Sequence, residues 1–336
     1  MKRIYFIFVL ILIVVIFSAS SFYYWFKKEL TPVSNSEEKV TFVVPKGTAA
    51  SEIGSFLYNN RLIRNQLVFK IYVTLLNKTK SINAGEFELS PSMSVSEIVS
   101  VLGKGPKEFW VIIPEGLRKE EIVLRITESL PMNSEETIVF KEQFLDLAKT
   151  SEGYLFPDTY LFPKEATAKL VFERLRSTFD DKYESLVKKY ADSKFTKGEI
   201  VTMASILERE TKTTSEKPIV SGILWKRIEN GWPLQVDASV QYAVANVSLK
   251  LQKQKDINWW PVLTLQDLDV DSPYNTYKYK GLPLAPICNP GLESLQAALD
   301  PQVSDYWFYI HSPDGTIHYA KTAEEHAANV RKYLNK

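Results

Sequence analysis

The sequence predicts a mixed α+β protein that follows an N-terminal transmembrane helix. The prediction rests on a charge-free N-terminal run, on short strand-like runs each followed by a helical pattern, and on later helical patterns that alternate with Pro-rich loops. Because the strand-like runs are short and mixed with helices, α+β is favoured over a doubly wound parallel sheet. The chain has 336 residues, a length that suggests about two domains.

Composition excludes several classes of protein. The chain carries 41 Lys and Arg against 40 Asp and Glu, and this balance argues against nucleic acid as a partner. A single cysteine, Cys288, rules out an internal disulfide framework and a Cys-cluster zinc site. The histidines His311, His318 and His326 lack the spacing of a helical ligand pair. No Gly-rich phosphate loop is present, so we expect neither a metal nor a cofactor.

Residues 4–26 contain no charged residue and would span about 30 Å as a helix. We predict that residues 1–3 are cytoplasmic and that 4–26 form a single-pass anchor in the cytoplasmic membrane, with the catalytic domain on the extracytoplasmic side. The alternative is a cleaved signal peptide with Ser18, Ala19 and Ser20 at its cleavage site. Apolar and aromatic residues continue past that site, which favours the retained anchor.

The anchor is followed by a polar linker and a repeated pattern. Residues 27–39 are polar and interrupted by Pro32, which is typical of a linker. Strand-like runs then each lead into a helical pattern, the clearest two through a Pro-x-Gly turn: 40–44, 85–89 and 109–113. A strand, a turn and an amphipathic helix make a compact βα unit. We therefore predict small α+β modules over residues 40–125.

Residues 126–336 are predicted to form a second α+β domain. Pro157 and Pro163 exclude a regular helix over 152–163. Residues 259–291 are expected to form long ordered loops, and 306–311 is expected to pair as a strand with 316–320. Helical patterns cover 133–150, 165–191, 196–213, 232–246 and 322–334.

The helix predicted at 196–213 carries the best candidates for chemistry. Thr196 and Glu199 have the spacing of a capping box. At about 100° per residue, Glu208 and Glu210 flank its apolar face on opposite sides. A carboxylate beside apolar neighbours is desolvated, which suits a general acid. The alternative is a pair of solvated glutamates on a surface helix.

Further polar residues occur in the Pro-rich loops. Gln235 and Asp237 follow a Trp-Pro pair, and Tyr274 and Asn275 follow Ser-Pro. Amide and phenol groups can orient sugar hydroxyls while an aromatic ring covers the sugar. Turn formation and loop packing are the alternative role for the same residue types.

The chain carries six uncommon motifs in fixed order: EGYLFPDTY at 152–160, ASILERET at 204–211, LQVD at 234–237, YNTY at 274–277, GLP at 281–283 and NPG at 289–291. Together they resemble the motifs of the YceG-like family, the endolytic murein transglycosylases (MltG), and the resemblance covers nearly the whole chain. Two differences at 207 and 209, where Leu and Arg replace Val and Lys, leave the chemistry at Glu208 unchanged. The loop at 283–287 departs from the family's usual pattern, which affects loop shape.

The resemblance implies a LysM-like peptidoglycan-binding region at 40–125 and a YceG-like catalytic domain at 126–336. It implies that Glu208 is the single general acid/base and that Glu210 supports it. Cleavage of the β-1,4 bond between N-acetylmuramic acid and N-acetylglucosamine in nascent strands would form 1,6-anhydro ends. Because no water attacks, the second carboxylate of ordinary glycosidases is not required. The expected substrate-binding residues are Gln235, Asp237, Tyr274, Asn275 and Glu210.

Two other functions fit the same features. A hydrolase would cut the same glycan with addition of one water at each cut. A non-enzymatic peptidoglycan-binding scaffold of the cell-wall synthesis machinery would use the anchor and the LysM-like modules without cutting. The implied partners are peptidoglycan glycan strands, the cytoplasmic membrane and peptidoglycan synthases.

Overall fold

The computed structural model shows the mixed α+β architecture that the sequence predicts. Its chain divides into two compact units: Met1–Phe109 with Leu161–Glu165, and Trp110–Tyr160 with Ala166–Lys336. Along 2–9 and 250–251 only the backbone is described. The structure describes residues 2–45, 47–79, 81–105, 108–190, 194–251 and 257–334.

The first unit begins with helix α1, Lys2–Glu29. Its segment Leu10–Glu29 contains an 18-residue window with a mean hydropathy of 1.7 and is long and apolar enough to cross a membrane. The predicted anchor at 4–26 lies within this helix. Helical backbone continues through Ser18, Ala19 and Ser20, the site of the alternative signal-peptide cleavage.

The rest of the first unit has a strand–helix–helix–strand–helix order. Strands β1 and β2 pair antiparallel, with Phe42 opposite Phe87, and both rings are buried in a core with Leu57 and Phe69. Helix α3 was not predicted from the sequence. The elements are β1 (Val40–Val44), α2 (Ala50–Asn59), α3 (Gln66–Leu75), β2 (Gly85–Leu89) and α4 (Val95–Lys104).

The predicted linker packs against this unit. The Arg64 guanidinium donates to the Pro32 carbonyl at 2.6 Å, and the Val95 amide donates to the Leu30 carbonyl at 3.1 Å. Leu30 also packs against the core of the unit. Residues 30–33 are therefore held by hydrogen bonds and do not form a free tether.

The second unit is mainly helical. The first unit runs to Phe109 and also includes Leu161–Glu165, so the helix predicted after residue 116 lies in the second unit. Two of its helices, α9 and α11, were not predicted. The elements from the division onward are β3 (Glu108–Ile112), α5 (Lys119–Ser129), α6 (Ser134–Leu147), β4 (Thr159–Pro163), α7 (Ala168–Lys189), α8 (Lys197–Glu210), α9 (Lys217–Glu229), α10 (Asp237–Leu251), a 3₁₀ turn (Leu265–Asp269), α11 (Leu292–Leu299), β5 (Phe308–His311), β6 (Ile317–Ala320) and α12 (Ala323–Tyr333). Strands β3 and β4 form one two-stranded sheet, and β5 and β6 form another.

Helix α8 is the central element of the second unit. Its capping box is present, because the Glu199 amide donates to Thr196 Oγ1 at 3.3 Å and the Thr196 amide donates to Glu199 Oε2 at 2.8 Å. Every residue from Ile200 to Leu207 is buried, and the helix packs against α9, α10 and α11. The alternative, a surface helix with two solvated glutamates, is therefore wrong. Helix α8 is a core helix, and Glu208 lies just after its buried stretch, where side chains become partly exposed.

Candidate active site

The Glu208 carboxylate lies among three groups that donate hydrogen bonds to it. The Lys217 ammonium is 3.3 Å from both carboxylate oxygens. The Ser294 hydroxyl donates to Oε2 at 2.7 Å, and the Gly291 amide donates to Oε2 at 3.0 Å. The Lys217 and Glu208 side chains are only 7% and 10% exposed. This Glu208 site thus holds a largely buried carboxylate in a fixed orientation.

The partners of Glu208 come from the starts of two helices. Pro218 lies in the first turn of α9, where its missing amide hydrogen costs nothing, and Lys217 begins that helix. Gly291 is the N-cap residue of α11. The positive end of a helix dipole favours a negative charge, so the start of α11 adds to the attraction of Lys217 for the carboxylate.

A loop after β3 approaches the same carboxylate. Gly116 has φ +78°, and a Cβ at this position would lie 3.5 Å from Glu208 Cγ and 3.3 Å from Arg209 Nη1. A side chain here would therefore be strained and crowded. The Arg209 guanidinium stacks 3.8 Å from the centre of the Trp260 ring. The loop therefore borders the Glu208 site, and Trp260 packs on the neighbouring Arg209.

Glu210 lies apart from Glu208, as their opposite helix positions predict. The Tyr309 hydroxyl donates to Glu210 Oε2 at 3.1 Å. Burial raises the pKa of Glu210 to about 7, with the Asp237 charge adding to the rise and the Tyr309 bond and Arg227 opposing it. Asp237 accepts from the Tyr277 hydroxyl at 2.6 Å. The structure thus brings two of the predicted substrate-binding residues, Glu210 and Asp237, near each other.

Gln235 and Asn275 have different surroundings from each other. Gln235 is exposed, with a left-handed φ of +52° that is uncommon outside glycine and asparagine. Asn275 is fully buried, and its amide donates to the carbonyls of Leu268 and Val270 at 2.8 Å each. In this structure the Asn275 side chain therefore has no exposed surface that could contact sugar directly. Its amide instead holds the loop, the alternative role that the sequence left open.

Tyr274 lines a separate cavity of about 480 Å³. Tyr154, Tyr242 and Glu152 contribute to its wall, together with the loop 282–286. Glu152 accepts from Asn289 Nδ2 at 2.8 Å and from the Lys119 amide at 3.1 Å. Burial raises the pKa of Glu152 to about 8, and the Glu120 charge adds to the rise. This tyrosine pocket is polar, aromatic and large enough for a sugar ring.

The histidines have structural partners. His311 Nε2 lies 3.1 Å from Glu216 Oε2, His318 stacks on Tyr333, and His326 stacks on Phe308. Within the described part of the chain, no group of three or more His, Cys, Asp or Glu side chains could hold a metal ion.

Several residues of these sites were missed from the sequence. Lys217 and Ser294 carry no local signal, because the chain brings them to Glu208 from separate helices. Arg118 is fully buried, where it lies 4.1 Å from the centre of the Tyr242 ring and pairs with Glu120 at 3.3 Å. The Pro-Glu-Gly and Asn-Pro-Gly motifs were the available signals for Gly116 and Gly291.

Known proteins resemble this chain along most of its length. The sequence pattern of the YceG-like family matches residues 42–332. A protein named endolytic murein transglycosylase from Bacillus subtilis (strain 168) is 29% identical, over 92% of this chain and 89% of that protein. The protein of the same name from Streptococcus pneumoniae serotype 2 (strain D39) is 26% identical over 91% of this chain, which spans 60% of its length.

A solved structure agrees with the fold. The crystal structure of a yceG-like protein from Listeria monocytogenes superposes with a TM-score of 0.52 at 30% sequence identity, over 87% of this chain and 99% of that one. The family pattern, the named relatives and the fold of the solved structure all indicate the same family. The chain belongs to the YceG-like family.

Proposed function

We propose that this chain is a peptidoglycan lytic transglycosylase in which Glu208 is the general acid/base. The observation that carries the proposal is the Glu208 carboxylate, which Lys217, Ser294 and the Gly291 amide hold in a fixed orientation. The relatives named endolytic murein transglycosylase supply the substrate class. The bond cleaved is the β-1,4 bond between N-acetylmuramic acid and N-acetylglucosamine in nascent strands.

The cycle needs one carboxyl that contacts the reacting atoms. Protonated Glu208 donates its proton to the glycosidic oxygen as the bond to C1 breaks. Glu208 then accepts the proton of the muramoyl C6 hydroxyl, whose oxygen bonds to C1 and closes the 1,6-anhydro ring. Positioned acid–base groups of this kind contribute about 10²- to 10⁴-fold in rate. Lys217 and Ser294 keep the carboxylate aligned through both transfers.

The other predicted residues would act around this centre. We propose that four predicted residues contact the glycan or orient groups that do: Tyr274, Gln235, Asp237 and Glu210. Tyr274 lines the tyrosine pocket. Gln235 is exposed and precedes Asp237, whose charge acts on Glu210. Asn275 would contribute only through the loop that it holds. The two-stranded sheet and the helices of residues 40–104 would form a LysM-like peptidoglycan-binding module.

We also propose a location and partners for the reaction. Helix α1 would anchor the chain in the cytoplasmic membrane as a single pass, with the catalytic domain on the extracytoplasmic side. New glycan strands emerge there, so peptidoglycan synthases would be neighbours. The length and hydropathy of Leu10–Glu29 support the anchor.

The masses of the new chain ends test the proposed reaction. Purified peptidoglycan treated with this protein is expected to yield 1,6-anhydro-muramoyl ends. A hydrolase would give ends heavier by one water, because water would replace the C6 hydroxyl as the attacking group. A glycan-binding scaffold would leave no new ends at all, although it would still sediment with the glycan. Either of these two outcomes would contradict the proposal.

A further inference from the structure

An exposed cation lies beside the Glu208 site and has no part in the cycle above. Arg209 follows Glu208 on α8, and its side chain is exposed. A Cβ at Gly116 would contact both side chains, at 3.5 Å from Glu208 Cγ and 3.3 Å from Arg209 Nη1. The Glu208 and Arg209 side chains therefore meet the same point of the loop after β3, within the second unit.

The Arg209 guanidinium is held in place although it is exposed. It stacks 3.8 Å from the centre of the Trp260 ring. The ring is itself fixed, because Trp260 Nε1 donates to Glu121 Oε2 at 3.2 Å. The same oxygen accepts from the Arg118 amide at the start of α5, at 3.1 Å. A long side chain that is already ordered loses less conformational entropy when it binds a ligand.

This guanidinium lacks an anionic partner in the described part of the chain. No carboxylate there forms an ion pair or a hydrogen bond with Arg209, whereas the neighbouring Glu208 is paired with Lys217. Arg209 lies in the last turn of α8, where a cation interacts favourably with the helix dipole, but that role does not require stacking on an aromatic ring. An ordered, unpaired guanidinium is suited to bind a carboxylate through two parallel hydrogen bonds.

The substrate offers such a carboxylate close to the bond that is cleaved. The sugars of a peptidoglycan strand are uncharged, and its carboxylates belong to the stem peptides, each attached through the lactyl group on C3 of muramic acid. We infer that Arg209 binds a carboxylate of the stem peptide on the muramoyl residue whose bond Glu208 breaks. Arg209 thereby selects strands that still carry their peptides, and Trp260 is a positioning residue for its guanidinium. This inference rests on the proposed function of Glu208.

The test combines a change in the protein with a change in the substrate. Wild type and Arg209→Gln are assayed on peptidoglycan before and after its stem carboxylates are converted to amides. We expect kcat/KM of the wild type to fall about tenfold on amidation, the lower end of the effect of a hydrogen bond to a charged group. Arg209→Gln should show the same fall on the untreated polymer and no further fall on the amidated one, because both changes remove one contact. Arg125→Gln, an exposed change on α5, is the matched control and should respond to amidation as the wild type does.

Two further variants separate binding of the peptide from a structural role. Arg209→Lys keeps the charge and should retain part of the sensitivity to amidation. Trp260→Leu frees the guanidinium and should raise KM for the untreated polymer more than for the amidated one, whereas loss of packing alone would affect both equally. Independent losses from amidation and from Arg209→Gln would overturn the inference, as would a wild type that cleaves both polymers equally well. Absence of anhydro ends from the wild type would instead overturn the proposed function, so the two failures are distinguishable.

Discussion

Lys217→Met is expected to lower the free energy of unfolding at pH 8 by about 3 kcal/mol, the size of effect seen when one partner of a buried ion pair is removed. The Lys217 and Glu208 side chains are only 7% and 10% exposed, so the carboxylate left behind has little access to water. It keeps the Ser294 hydroxyl and the Gly291 amide but loses its cation. The measurement is urea unfolding at pH 8.

A double-mutant cycle separates the ion pair from simple packing. Adding Glu208→Gln to Lys217→Met removes the unpaired charge, so the double variant should recover much of the lost stability. Lys212→Met removes an exposed lysine of the α8–α9 loop and should change the unfolding free energy by less than about 0.5 kcal/mol. Additive losses from the two single changes would show that the pair does not stabilise the site.

Glu152→Gln is expected to flatten the dependence of stability on pH. The folded pKa of Glu152 is raised to about 8 from 4.5, so the folded protein keeps a proton that the unfolded chain has lost between these values. The contribution of this group is therefore constant below about pH 4.5 and falls as the pH rises towards 8. The slope in the middle of this window is about 1.4 kcal/mol per pH unit.

The glutamine variant keeps the shape and the hydrogen bonds of the site. Its carbonyl oxygen can accept from Asn289 and from the Lys119 amide, as Glu152 Oε1 does. Melting temperatures at pH 6 and pH 8 should differ less in Glu152→Gln than in the wild type. Glu184→Gln, exposed on α7, should follow the wild type. If Glu152→Gln and Glu184→Gln gave equal differences, Glu152 would not be protonated in the folded state.

Local patterns in the sequence predicted much of the fold. The capping box at Thr196 and Glu199 needs only residues three positions apart, so the start of α8 could be read directly. The hydropathy of residues 4–26 likewise needs no tertiary information to indicate a membrane-spanning helix. Helix α9 was missed although Pro218 marks its first turn, because its residues are buried on several sides and show no single apolar face.

The candidate site was less predictable, because its parts come from distant segments. Glu208 could be singled out from its place on a helix, but Lys217 and Ser294 reach it only through the packing of α9 and α11 against α8. Asn275 has the residue type of a sugar ligand, and nothing in the sequence shows that its amide is used by Leu268 and Val270. Residue type identified candidates, and tertiary packing decided their roles.

The central claim is that Glu208 cuts the glycan by transferring protons. Its most direct test compares the products of wild type, Glu208→Gln and Glu199→Gln from the same peptidoglycan by mass spectrometry. Glu199 lies on the same helix, where it closes the capping box, so its change controls for disturbance of α8. We expect 1,6-anhydro ends from the wild type and Glu199→Gln and none from Glu208→Gln. Anhydro ends at the wild-type rate from Glu208→Gln would contradict the account.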